Sequence, residues 1–342
     1  MTTTVEGGGP PPIEAPELVE TPRALRPRLS LPDQLFQQGT RFAGTLVLVL
    51  TGSIGLFLGY QAIPTLKHYG LSFFTESAFS PNADKIGIAS VLVGTVQIAL
   101  IALIVAFPLA LATALYISEY CPPRLKSVAI AAIDLMAAVP SLIYGLWGYF
   151  FLKPNATGLA RWLSQHLGWI PLFGVDTDPN AASVAQSKFV GSAFLAGLCV
   201  AMMVVPIACS VMRGVFSQAP IGEREAAYAL GATKSGMIST VVIPFGRGGM
   251  IGGTMLGLGR ALGETVAVLL IIEPKFELKW SVIQHGAETV SALIAGNFGE
   301  ASSTQLTALL AAGFVLFLMT LAINTIAAVF VGRSRSGAGL DA

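Results

Sequence analysis

The chain has 342 residues, of which 54% are hydrophobic and only 11% charged, and its formal net charge at pH 7 is +1. A soluble domain carries about 25% charged residues, so this composition excludes an ordinary water-soluble globule. The near-zero balance gives no electrostatic reason to expect a nucleic-acid partner. The apolar residues come in long blocks, and roughly 20 of them carry a helix across a bilayer core, which points to an all-α polytopic membrane protein.

Residues 1–40 come first, with a glycine and proline run from Gly7 to Pro12, then Glu14, Glu17 and Glu20, then basic residues. Such a stretch buries too little apolar surface to offset its ordering entropy, and a disordered cytoplasmic tail is expected. Its last part, Leu31 to Phe36, reads as the start of a short interfacial helix. No signal peptide is visible, which leaves targeting to the first span. Six transmembrane helices are expected at about 42–64, 89–118, 128–152, 189–212, 248–272 and 307–331. They make a six-span domain over residues 41–332, followed by a cytoplasmic tail over 333–342.

Basic residues collect at the cytoplasmic ends of spans. Twelve fall on one side: Arg23, Arg26, Arg28, Arg41, Arg124, Lys126, Arg213, Arg224, Lys234, Arg247, Arg333 and Arg335. Seven fall on the other: Lys67, Lys85, Lys153, Arg161, Lys188, Lys275 and Lys279. Both termini are therefore expected in the cytoplasm, with the connections 153–188 and 273–306 outside. The first outer connection reads as a long polar loop marked by Pro154, Asn155 and Gly158, and the second contains a helical stretch from Glu288 to Phe298. Between the second and third spans, Cys121-Pro122-Pro123 is a stop signal. The cysteines show no disulfide framework.

The inner connection 213–247 carries the first functional pattern. Glu223, Arg224, Glu225, Ala226 and Ala227 open a short amphipathic helix that Gly231 ends, and a second helix is expected to stop at Pro244. A charged, alanine-rich helix outside the bilayer is suited to docking in a partner's groove. Glu225-Ala226-Ala227, Gly231 four residues on, then Val241, Ile243 and Pro244 resemble, position by position, the coupling loop of ABC importer permeases. That resemblance implies a type I ABC importer permease fold, with the loop seated on a cytoplasmic ATPase subunit.

The fifth span is the second pattern. At about 100° per residue, Gly249, Gly253, Gly257, Arg260 and Glu264 share one stripe, and glycines spaced by four let helices pack closely in membranes. An intramembrane ionisable residue is by default a functional candidate. Arg260 and Glu264, one turn apart, are expected to offset each other, with a structural ion pair as the alternative. A guanidinium forks onto two oxygens of an oxyanion, while a carboxylate accepts from an oxyanion that carries a proton and repels one that does not.

The stretch Gly259-Arg260-Ala261-Leu262-Gly263-Glu264-Thr265-Val266 also resembles the fifth span of phosphate-specific permeases of the PstC type. Ile117 to Tyr120, Val139 to Gly148, and Ser291 to Ala301 agree with it, over a region of about 40–332. Gly296 departs from that pattern, where a polar residue is expected. The resemblance implies a multi-pass protein of the bacterial inner membrane that translocates inorganic phosphate. Its implied partners are a PstA-type permease, two copies of a PstB-type ATPase that bind ATP and Mg, and a PstS-type extracytoplasmic phosphate-binding protein.

Absences agree with this. There is no phosphate-cradling glycine-rich loop with lysine, so no ATP site or other cofactor is expected in this chain. His68, His166 and His285 are scattered and suggest no metal site, and no catalytic set suggests an enzyme. Asp134 reads as an acid at a helix start, and Gln97 and Asn324 as interhelical hydrogen-bond partners. The alternatives are a permease for another oxyanion such as sulfate or molybdate, and an ion-coupled carrier acting alone.

Overall fold

The computed structural model describes residues 30–80, 85–175 and 186–334. Most of the expected N-terminal tail, residues 1–29, and the C-terminal residues 335–342 lie outside the described residues. Helix α1 (Leu31–Tyr69) already begins at residue 31, so residues 31–40 are helix and not tail. The start is capped reciprocally. The Asp33 amide donates to Ser30 Oγ at 3.4 Å and the Ser30 amide to Asp33 Oδ2 at 3.3 Å, a capping box with Pro32 in the first turn.

Next come α2 (Ser72–Thr75) and a two-stranded antiparallel ribbon, β1 (Phe79–Ser80) with β2 (Lys85–Ile86), in which Phe79 faces Ile86. This ribbon is a small exception to the all-helical expectation. Helix α3 (Ala89–Leu115) runs on as a π-helical turn, Tyr116–Tyr120. Then follow α4 (Pro123–Ala138), α5 (Ser141–Trp147), a second π-helical turn (Gly148–Leu152) and α6 (Lys153–Leu167). Helix α7 (Ala193–Phe216) leads through α8 (Ile221–Ala229) and α9 (Lys234–Met237) to a third π-helical turn (Ile238–Val242). The rest is α10 (Ile243–Phe245), α11 (Arg247–Gly263), α12 (Val266–Ile271), α13 (Val290–Asn297) and α14 (Ser303–Ser334).

Four of these are long and apolar enough to cross a membrane unbroken: α1, α3 with its π-helical turn, α7 and α14. Two bent pairs raise the number to six. The expected third span is not one rod. Residues Pro123–Ala138 and Ser141–Leu167 meet at 90°, because Pro140 forces Val139 out of the helix to φ −64°, ψ 129°. The second pair, Lys234–Phe245 and Arg247–Gly263, is bent by 66°. The expected loop at 153–167 is helix α6 instead.

The three π-helical turns share a cause. Each ends two residues before a proline: Tyr120 before Pro122, Leu152 before Pro154, and Val242 before Pro244. A proline has no amide hydrogen and its ring crowds the carbonyl four residues back. Shifting the preceding turn to wider hydrogen bonds relieves both defects.

The core is built on small side chains. On α3, Ala99, Ala102, Ala106, Ala110 and Ala114 are all buried, and this ladder packs on α7. Helix α7 also receives α11, where a Cβ at Gly253 would lie 3.0 Å from the Ala208 carbonyl oxygen and one at Gly257 2.5 Å from Val204. Within a bilayer, close van der Waals packing of this kind replaces hydrophobic exclusion as the glue. A second cluster joins Phe73, Ile86, Ile88 and Val91 to Val290, Leu293 and Leu309. Glycines of α1 sit against α14 in the same way, Gly55 facing Phe317 and Gly59 facing Phe314.

Candidate coupling surface and translocation path

Helix α8 starts after Pro220 and carries Glu223 in its first turn, where the helix dipole favours an acid. It ends in a Schellman motif. The Gly231 amide donates to the Tyr228 carbonyl at 2.9 Å and the Ala232 amide to the Ala227 carbonyl at 3.0 Å. Gly231 sits at φ +84°, with nothing within 4 Å of where a Cβ would stand, so backbone conformation and not space demands glycine there. Helix α9 restarts at once, capped by Thr233 Oγ1 on the Gly236 amide at 3.2 Å.

The helix is two-faced. Glu223, Glu225 and Ala226 are exposed, while Arg224 and Ala227 turn inward. Three large apolar side chains join the exposed face: Ile221, 72% exposed, Tyr228, 46%, and Leu230, 89%. The sequence pattern of this loop rests on its charged and small residues, and these three lie outside it. The signal was present, since three large apolar residues outside any span ask for a partner. Pro244 is exposed too, but it does not stop the chain. The helix runs through it to Phe245 and bends at Gly246, where a Cβ would lie 2.2 Å from the Phe216 ring.

In the fifth span, Gly249, Gly253 and Gly257 face Val215, the Ala208–Met212 turn and Val204 of α7. Arg260, in the last turn of α11, is exposed, within electrostatic reach of Tyr144 on α5. The expected turn-to-turn relation with Glu264 does not form. Helix α11 ends at Gly263, Glu264 is extended at ψ 121°, and α12 starts at Val266. No ion pair joins Arg260 to Glu264 among the described residues. Glu264 is instead 7% exposed, and its Oε1 accepts the Ala267 amide at 3.3 Å.

Broken backbone at membrane depth must have its polar groups satisfied within the protein. Here Ser291 Oγ of α13 donates to the Glu264 carbonyl at 2.8 Å, and Thr265 Oγ1 to the Gly263 carbonyl at 3.2 Å. The segment 273–289 is thus no loose loop. Its Glu288 carbonyl lies 2.1 Å from where a Cβ of Gly94 would be, and the Val290 amide donates to Thr95 Oγ1 at 3.1 Å. Gln97 reaches this segment and not another span, donating to the carbonyls of Lys279 and Trp280. Asn324 Oδ1 of α14 approaches α11 at Gly259. Asp134 stands in the second half of α4, which removes the helix-start reading. It lies 4.0 Å from Arg213 and accepts from Ser210.

Electrostatics on the 273–289 segment are uneven. Glu277 is held low by a hydrogen bond and the charge of Lys279, 2.9 Å away. His285 is lowered by burial and then by Lys275 and Lys279. Burial pushes Glu288 up to about 7, and its Oε1 has no hydrogen-bond partner. A cavity of about 430 Å³ opens here, lined by Lys188, Lys275, Lys279, Glu273, Glu277 and His285 among others. No group of three metal-ligating side chains occurs among the described residues.

A profile of the family described as "Binding-protein-dependent transport system inner membrane component" matches residues 106–336. The phosphate transport system permease protein PstC of Mycobacterium leprae is 39% identical over 310 residues, 89% of this chain and 95% of that protein. PstC of Xylella fastidiosa strain Temecula1 is 38% identical over 320 residues, 93% of this chain and 96% of that one. PstC 2 of Mycobacterium tuberculosis is 37% identical over 311 residues, 89% and 93%. Among solved structures, a bacterial ABC transporter involved in the import of the acidic polysaccharide alginate is 18% identical. It covers 88% of this chain and 99% of that chain at a TM-score of 0.51. An inward-facing MetNI methionine ABC transporter is 13% identical, covering 70% and 93% at 0.51. The two structures establish the fold as that of ABC importer permeases. With the profile across two thirds of its length and PstC relatives along nine tenths of it, the chain belongs to the binding-protein-dependent inner membrane transport components, in the group of the PstC permeases.

Proposed function

We propose that this chain is the permease subunit through which an ATP-driven importer passes inorganic phosphate handed over by an extracytoplasmic binding protein. The observation that carries the substrate is the near-full-length likeness to proteins named phosphate transport system permease PstC. The two-faced helix α8 supports the energy source. Glu225, Ala226, Gly231 and Pro244, with Ile221, Tyr228 and Leu230, form the surface that docks on a cytoplasmic ATPase subunit, and Ala227 packs inward behind it. The complex then comprises this chain, a PstA-type permease, two PstB-type ATPase copies that bind ATP and Mg, and a PstS-type phosphate-binding protein. Both termini and the α7–α11 connection face the cytoplasm, as the charge bias demands.

Arg260 offers its exposed guanidinium to the passing anion by a bidentate fork. Glu264, at the break in the fifth span, accepts the P–OH of hydrogen phosphate when the 264–265 junction opens. The test is uptake of radiolabelled phosphate by the four-component importer in proteoliposomes. Arg260→Lys should lose about tenfold or more in transport, and Arg260→Gln more still, because neither forks onto two oxygens. The charge-swapped pair, Arg260→Glu with Glu264→Arg, should assemble and stay inactive, since no ion pair exists to restore. Parental uptake by Arg260→Gln or by the swapped protein would refute the pathway role.

A further inference from the structure

The inward face of α8 makes one contact that neither the docking surface nor the path uses. Arg224 Nη1 donates to Glu119 Oε2 at 3.0 Å, and Arg224 Nη2 donates to the Phe216 carbonyl at 2.7 Å. Glu119 belongs to the π-helical turn that ends α3, and Phe216 is the last residue of α7. One guanidinium therefore ties α8 to the ends of both helices of the central pair. The Glu119 side chain is 4% exposed and that of Arg224 21%. The other carboxylate oxygen is engaged as well, accepting from Ser118 Oγ at 2.7 Å.

The same five-residue turn is held from a second direction. Lys234 of α9 places its ammonium 4.6 Å from the centroid of the Tyr120 ring. Helices α8 and α9 thus each make a charged contact with the π-helical turn that follows α3.

We propose that Glu119 and Arg224 are positioning residues for transport: they couple α8 rigidly to α3 and α7, so that movement of the docked helix moves the spans. Arg224 does this by a planar fork onto two acceptors from different helices, which lysine cannot reproduce. The inference rests on the reading of α8 as the ATPase docking helix. It adds that docking and transmission use opposite faces, Glu225 and its neighbours outward and Arg224 inward.

The assembled importer in lipid vesicles tests this, with three readouts: ATPase subunit retained on purification, hydrolysis with and without phosphate-loaded binding protein, and phosphate uptake. Glu119→Gln should retain the ATPase subunit and keep unstimulated hydrolysis within about twofold of the parent. Its uptake should fall about tenfold or more, and stimulation by the loaded binding protein should disappear. Glu119→Asp, which keeps the charge, should recover most of both. Arg224→Lys should behave as Glu119→Gln does. Uptake by Glu119→Gln within about twofold of the parent, loss of the ATPase subunit from that variant, or an aspartate as inactive as the glutamine would each overturn the proposal. Failure of the docking reading shows separately, as an ATPase subunit that stays bound to Glu225→Arg.

Discussion

Replacing Gly231 separates backbone conformation from bulk in the α8–α9 loop. The residue sits at φ +84° with open space where a side chain would go, so any residue with a Cβ meets the left-handed penalty of about 1–2 kcal/mol and no clash. Asparagine, which tolerates that region through local hydrogen bonds, escapes part of it. If ATPase docking needs the capped α8–α9 geometry, the competent fraction falls by about 5–30-fold for Gly231→Ala, and Gly231→Leu should match alanine despite its size. Titration of the purified permease pair in nanodiscs with labelled ATPase subunit measures the affinity. The expected order is glycine, then asparagine, with alanine and leucine together last. Alanine binding as tightly as glycine, or asparagine binding worse than alanine, would refute the conformational argument, and leucine far below alanine would restore bulk as the cause.

Three other outcomes follow from the geometry. Gly94→Ala places a Cβ 2.1 Å from the Glu288 carbonyl and should lower the thermal midpoint of the purified protein, by the equivalent of about 1–3 kcal/mol of overpacking. Gly158→Ala on α6, with nothing within 4 Å, should leave it unchanged or raise it slightly, so equal midpoints for the two would count against the packing. Glu288 titrates near 7 in the fold against about 4.3 for an ordinary glutamate, so the folded state holds the extra proton and stability falls as pH rises from about 4.3 to 7. The loss is of order 3 kcal/mol in all. Glu288→Gln should remove that decline from thermal scans made across the window, and a glutamine variant with the parental pH slope would contradict the assignment. A cysteine at Trp169, 80% exposed, should react with an impermeant thiol reagent applied to intact cells, and one at Leu230, 89% exposed, should not; labelling at 230 would invert the orientation.

The unbroken spans were legible because a helix of apolar residues satisfies its own backbone, so length and hydropathy suffice to find α3, α7 and α14. The broken ones were not. Hydropathy runs straight through Val139-Pro140 and Gly263-Glu264-Thr265, yet at the first a proline turns its predecessor out of the helix. At the second, the exit depends on Ser291, 27 residues further along the chain, satisfying the Glu264 carbonyl. The helical phase that put Arg260 and Glu264 on one stripe therefore ended at Gly263. The glycines of that stripe were readable for the opposite reason, since their spacing lies wholly inside α11. The α8–α9 loop was legible because its signals are local: a first-turn acid, a glycine after the last turn and a threonine cap. Its inward contact was not, because Glu119 lies 105 residues before Arg224 and nothing in either neighbourhood announces the other.

Helix α3 is where the two ends of the molecule meet the same rod. With its π-helical turn it runs 32 residues, Ala89–Tyr120, or about 48 Å at 1.5 Å per residue. Near its start, Gly94 lies against the Glu288 backbone and Thr95 Oγ1 accepts the Val290 amide; at its end, Glu119 holds Arg224. Between them the alanine ladder keeps α3 against α7 with little side-chain length to bend or slide. Interfaces of small residues pass displacement on because they have few rotamers in which to absorb it. On the proposed coupling, a pull on α8 passes through the Arg224–Glu119 pair into α3, and from there along contacts of backbone and short side chains to the 288–291 segment and, through Ser291, to the break beside Glu264.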